Sequence, residues 1–157
     1  MLDWSGNLHP LNLAAIVYRP ADDADDLLAR FAADLIRRGR RLGGIIQRNT
    51  KGEAGQRERM EVIDLMTGKV VRICQDLGKD AAACKLNPAG LAEAATLVTR
   101  AIAAGVELVV VNKFSKQEAA GRGLRAEIAE AATAGLPLLT AVSDSCYDAW
   151  TSFTGGF

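Results

Sequence analysis

Residues 107–125 of this 157-residue chain, ELVVVNKFSKQEAAGRGLR, concentrate the side chains best suited to holding a charged ligand. Lys113, Lys116, Arg122 and Arg125 supply four cations, Ser115 a hydroxyl, Glu118 a carboxylate, and Gly121 and Gly123 backbone freedom. The apolar run Leu108-Val109-Val110-Val111 comes just before them and reads as a strand buried on both faces, the parallel-sheet kind. In open α/β sheets, ligands gather at the carboxyl ends of the strands, where the next helix presents free N–H groups. The chemistry implied is recognition of a small anion by Asn112, Lys113, Lys116 and Arg122, with Gly123 allowing close backbone approach. Ser115 and Glu118 also fit S-x-x-E, the helix capping box, so Glu118 has a structural reading beside the ligand-binding one.

A second group of candidates follows another apolar stretch, GGIIQ at 43–47. Gln47 and Arg48 should lie at the same sheet edge as Asn112. The polar segment 48–58, with Gly52, Gly55, Lys51 and Arg57, is expected to be a mobile connection able to close over a ligand.

These side chains need a scaffold, and the apolar patterning supplies one. Leu13 to Tyr18 is a first strand; Pro20 breaks it, and Asp22 or Asp23 can cap a helix reaching about Arg38. Leu28, Phe31, Ala32 and Leu35 recur at helical spacing and should form its buried face. Strand, helix and strand in so short a stretch make a βαβ unit, so the first two strands should be parallel. Residues 59–66 and 70–75 flank Thr67-Gly68-Lys69, a β-hairpin signal. Pro88 opens a helix to about Ala104 with the stripe Leu91, Ala95, Val98 and Ile102. A further helix to about Ala134 carries Leu124, Ile128 and Ala131; Gly135 and Pro137 stop it, and 138–142 form another buried strand. A short helix is expected around 147–150. The expected architecture is an α/β, three-layer domain with a mostly parallel sheet and an inserted β-hairpin, spanning 13–157 behind an irregular leader, 1–12.

The first strand-to-helix corner is where a phosphate-binding loop, G-x-x-x-x-G-K-[ST], would sit. Residues 18–26 read YRPADDADD instead, without glycine, lysine or hydroxyl apart from the tyrosine. Four carboxylates at a helix start favour the positive end of its dipole and repel a phosphate there. They read as an acidic cap, with a divalent-cation site as the functional alternative.

Composition narrows the field. Lys+Arg and Asp+Glu are both 19, so the net charge is zero, which argues against nucleic acid as a partner. Two Trp, two Tyr and four Phe are too few for base-stacking platforms. No apolar run approaches a membrane span, and the N-terminus lacks a secretion signal, so a cytoplasmic protein without a membrane partner is expected. Cys74, Cys84 and Cys146 match no zinc spacing and are expected as reduced thiols, with a functional Cys84 as the alternative. No metal site is assigned. The oligomeric state stays open, a homodimer included.

The segments GGIIQ, QDLGKDAAACKLNPAGLAEAA, VVVNKFSKQEAAGRGLRAEI and GLPLLTAV, followed by Trp150 and FTGG, resemble an uncharacterised bacterial family. It is catalogued as domain of unknown function 2478 and grouped with relatives of the P-loop NTPases. The likeness runs over nearly all of 12–156 and is most specific in NKFSKQEAAGRGLR. More remotely, VVVNKFSKQE is similar to the strand-and-acid motif of small nucleoside triphosphatases. On that resemblance Asn112 stands where a metal-binding Asp would be, Lys113 replaces the first Glu, and Glu118 matches the later one. It implies a P-loop NTPase-like fold with degenerate motifs. Phosphate loop and acidic pair are both missing, so it implies no catalytic residue. Genes said to lie beside some members imply a loose link to molybdate uptake.

The first reading is therefore a non-hydrolytic binding protein for a nucleotide or small oxyanion, regulatory in role, with no cofactor identified. The alternatives are an enzyme of unfamiliar type, with Glu118 as acid/base and Lys113 or Lys116 as electrostatic stabiliser, and a protein-interaction module on a P-loop-like scaffold.

Overall fold

Apolar runs become strands because their side chains fill both faces of a sheet, and the computed structural model places four such runs side by side. It describes residues 12–50, 59–75 and 85–156. Strands β1 (Leu13–Tyr18), β2 (Leu42–Thr50), β3 (Arg59–Asp64), β4 (Val70–Arg72), β7 (Leu108–Phe114) and β8 (Leu138–Ser143) form one sheet in the order β1-β8-β7-β2-β3-β4. The first four in that order are parallel, and β3 and β4 are antiparallel additions at one edge. Two-residue strands β5 (Cys74–Gln75) and β6 (Lys85–Leu86) pair separately. Helices α1 (Ala24–Arg37), α2 (Pro88–Ala104), α3 (Lys116–Ala119), α4 (Arg125–Thr133) and α5 (Tyr147–Thr154) complete the order, with a 3-10 turn at Asp144–Cys146 before α5.

The strand order explains which helix covers which face. From β1 to β2 the chain moves three places across the sheet; from β2 through β7 to β8 it returns. Right-handed crossovers in opposite directions require helices on opposite faces. Accordingly Leu28 and Ala32 of α1 pack with Val110 and Ala141, while Leu97 and Val98 of α2 and Ile128 of α4 pack with Ile45, Val109 and Val111. Val109, Val110 and Val111 are divided between the two cores by simple strand alternation. Neighbouring strands β1 and β8 send the chain to opposite faces, towards α1 and towards α5. Their carboxyl ends form a topological switch point.

Close packing at β2 depends on glycine. Gly44 has φ +98° and lies against the Val110 carbonyl, where a Cβ would collide with backbone. Its neighbour Gly43 lets Ala101 of α2 come down on the strand. The GG pair is therefore a packing feature that brings β7 and α2 against β2.

Several expectations need correcting. Strand β2 does not end at Gln47 but runs to Thr50, paired with β3 from Ile45↔Asp64 to Thr50↔Arg59. Arg48 and its two successors are thus ladder residues and not part of a loop; residues 51–58 lie outside the described residues. The polar QRNT sequence forms strand because β3 offers a partner with matching alternation. The hairpin from β3 to β4 is present, with Gly68 at φ +76°. Helix α1 buries Leu28 and Ala32, but Phe31 is 43% exposed. The helix expected after β7 is two helices, interrupted where Gly121 and Gly123 take positive φ. Cys74 is disulfide-bonded, whereas Cys146 is free and buried. Cys84 and the leader through residue 11 lie outside the described residues.

Candidate functional site

A cavity of about 900 Å3 opens at the carboxyl ends of the parallel strands and runs down between the sheet and α2. Its inner walls are apolar, with Ile45 and Val62 on the sheet side and Leu91 and Ala94 on the helix side. Its outer end is polar and comes from four elements: Gln47 and Asn49 of β2, Asn112 and Lys113 of β7, the segment 115–124, and Ser143 and Ser145 at and just beyond the end of β8.

The end of β7 positions the first group. Pairing with β8 is irregular between Val111 and Phe114, which breaks the strand alternation. As a result Asn112 and Lys113 both reach Asp25 in the first turn of α1. Asn112 Nδ2 donates to Asp25 Oδ1 at 3.0 Å, and Lys113 Nζ stands 3.0 Å from the same oxygen. The ammonium also lies 5.2 Å from the centre of the Tyr18 ring. Lys113 is therefore a structural cation, neutralised by an internal carboxylate. Asn112 is only 2% exposed, and no donor among the described residues reaches its Oδ1.

The other carboxylates of the acidic corner also have partners. Asp22 accepts from Arg19 N at 2.8 Å, and this backbone hydrogen bond holds its carboxyl below the usual range. Asp23 caps α1 by accepting from Asp26 N, and Asp26 pairs with Arg30 at 2.8 Å. Among the described residues no group of three or more His, Cys, Asp or Glu is placed to hold a metal ion.

The segment after β7 is organised by Glu118. Its carboxylate is buried and accepts from Ser115 N at 3.0 Å through Oε2 and from Leu124 N at 3.1 Å through Oε1. The capping-box reading is the one the geometry displays, and both oxygens are engaged within the segment. Gly123, at φ +61°, has no side chain because one would strike the Glu118 carboxylate. The close approach expected of a ligand at Gly123 is thus made by the protein itself. Phe114 anchors the segment from below, edge-on to Trp150 with ring centres 5.2 Å apart. Arg125 lies 4.8 Å over the Phe153 ring and donates to the Glu118 carbonyl at 3.4 Å.

This leaves Lys116 and Arg122 of the four cations. Both are exposed, both line the cavity, and neither has a carboxylate partner among the described residues. Gln47 also lines it, buried and donating to Asn49 Oδ1 at 3.0 Å. Arg48 does not. Strand alternation turns it to the opposite face of β2, where it pairs with Glu61 at 2.7 Å. Sequence reasoning passed over Asn49, Gln117, Ser143 and Ser145. Asn49 could have been found from its two-residue spacing to Gln47; the serines depend on the strand order, which no local signal carries.

Fold and cleft together define an α/β domain whose parallel strands end on one polar, partly cationic opening. Residues 13–157 match the family described as "Protein of unknown function (DUF2478)", and the chain belongs to that family. It is also 60% identical over 149 residues to the molybdenum import ATP-binding protein ModC 2 of Bradyrhizobium diazoefficiens. That match takes in 95% of this chain but only 17% of the relative's length. No solved structure matches.

Proposed function

We propose that the protein is a non-hydrolytic binding protein for an organic anion of nucleotide size, acting as a regulatory module in molybdate metabolism on a P-loop NTPase-like scaffold. The observation that carries this reading is the pairing of an apolar-walled cavity of about 900 Å3 with two cations at its polar end, Lys116 and Arg122, that have no carboxylate partner among the described residues. Cavities of this size and lining suit ligands with an apolar body and a few polar anchors. A bare oxyanion would use the cations and leave the walls empty, so the organic anion is the better fit. The molybdate link comes from the relative's name, which speaks of molybdenum import and ATP binding for a protein of which the shared segment is 17%.

The corner between β1 and α1 supports the non-hydrolytic part. Asp25 already supplies the negative charge there, with Lys113 as its counter-ion. A phosphate would have to displace a carboxylate held by two donors. With magnesium and ATP or GTP, no turnover above background is expected. Thermal-shift measurements and calorimetry with AMP, GMP and ATP, beside inorganic phosphate and molybdate, test the binding. Nucleotides should stabilise the fold, and Lys116→Ala with Arg122→Ala should remove the effect. Stabilisation by molybdate alone would overturn the reading.

A further inference from the structure

We infer that this cavity receives a planar heterocycle bearing N–H donors between its apolar walls, edge-on to the carboxamides of its polar end, with the ligand's anionic group turned outward to Lys116 and Arg122. This rests on the organic-anion reading above and specifies its ligand class. The central observation is Asn112. Its orientation is determined by Asp25, which can only accept, so Nδ2 must face the carboxylate and Oδ1 must face away from it. That Oδ1 is buried, receives no donor from the described residues, and belongs to a residue lining the cavity. An unmatched buried acceptor is costly, and a ligand N–H relieves that cost.

Three neighbouring features agree. Gln47, Asn49 and Gln117 line the same cavity and add three carboxamides to that of Asn112. Gln47 and Asn49 satisfy one donor and one acceptor between themselves, which leaves one amide donor set and one carbonyl for a ligand edge. The apolar residues on the sheet side and the helix side give a flat ring two walls to lie between. Finally, the lining's one carboxylate, Glu118, has both oxygens engaged within its own segment, so nothing there recruits a cationic ligand.

The test compares ligands on the unaltered protein by calorimetry. The probes are GMP and IMP, which carry ring N–H donors; purine riboside 5′-monophosphate, whose base has none; and ribose 5-phosphate. GMP or IMP should bind about tenfold or more tightly than purine riboside monophosphate, the effect of leaving one buried acceptor unmatched. Asn112→Leu should erase that ratio while leaving purine riboside monophosphate binding in place. Because the ligand series needs no variant, it decides the matter even if Asn112→Leu does not fold. Equal affinity for all three nucleotides, with loss in Lys116→Ala, would overturn the heterocycle inference and leave the organic-anion site standing. Binding of none of the four would overturn both.

Discussion

Two corners of the sheet edge are dense in charge, one acidic and one mainly basic, and use it in opposite ways. At the corner between β1 and α1, every carboxylate is answered from within the fold: Asp22 by Arg19, Asp23 by a backbone N–H, Asp25 by Lys113 and Asn112, Asp26 by Arg30. At the corner after β7 the carboxylate is turned inward to bind its own segment, and Lys116 and Arg122 line the cavity with no carboxylate partner among the described residues. Charge density alone does not mark a site. What separates a lock from a binding surface is whether the charges are already satisfied.

The largest effect should come from breaking the lock. Lys113 and Asp25 are about four-fifths buried, with side-chain exposures of 18% and 20%. Lys113→Ala leaves a largely buried carboxylate with a single amide donor. Removing one partner of a fully buried pair costs about 3–5 kcal/mol, and the residual solvent here reduces that to about 2–3 kcal/mol. Urea denaturation should show the loss as a lower midpoint with unchanged slope. A midpoint within error of the unaltered protein would mean the two corners are not distinguished by internal pairing.

Next in size is Gly123→Ala. The residue has positive φ, and its new methyl would meet the Glu118 carboxylate. Strain and displacement together should cost about 2 kcal/mol, read in the same denaturation experiment. The carboxylate would give up its bond to Leu124 N, so the rim cations would shift and nucleotide affinity would fall as well. A stable variant with normal affinity would show that Glu118 does not organise the rim.

Lys116→Ala and Arg122→Ala sharpen the contrast from the other side. Both residues are exposed and unpaired, so stability should stay within about 0.5 kcal/mol. Nucleotide affinity in calorimetry should fall roughly tenfold for each, the loss of one charge-assisted hydrogen bond. Lost stability without lost affinity in either variant would reverse the assignment of the two corners.

The contrast was only half visible in the sequence. Apolar runs placed β1, β7 and β8, and Asp23, Pro88, Gly105 and Gly135 marked helix ends, because such signals are local. Ser115 and Glu118 were legible as a capping box for the same reason. The lock was not legible, since Asp25 and Asn112 are 87 residues apart and meet only because β1, β8 and β7 lie in that order. Nor was the break between α3 and α4: Gly123 looked like room for a ligand, whereas the space it makes is filled by Glu118. Alternation in a polar stretch was also unreadable without its partner. Residues 48–50 became strand only because β3 pairs with them, and that pairing decides which of Gln47 and Arg48 faces the cavity.

The smallest effect expected is that of Arg48→Ala, and it isolates the alternation argument. Gln47 and Arg48 are adjacent, both polar, and equally plausible as ligand contacts when β2 is thought to end between them. Once β2 continues to Thr50, successive side chains must point to opposite faces, and Gln47 takes the one with Ile45 and Asn49. Arg48 spends its guanidinium on Glu61, its cross-strand partner in the ladder, at 2.7 Å. The Arg48 side chain is 53% exposed, so that pair contributes about 0.5 kcal/mol, and its loss should lower the denaturation midpoint only slightly. Nucleotide affinity should not change at all, whereas Gln47→Leu should reduce it. A tenfold loss of affinity in Arg48→Ala would mean that the ligand reaches around the edge of β2, and the cavity between sheet and α2 would no longer describe the whole site.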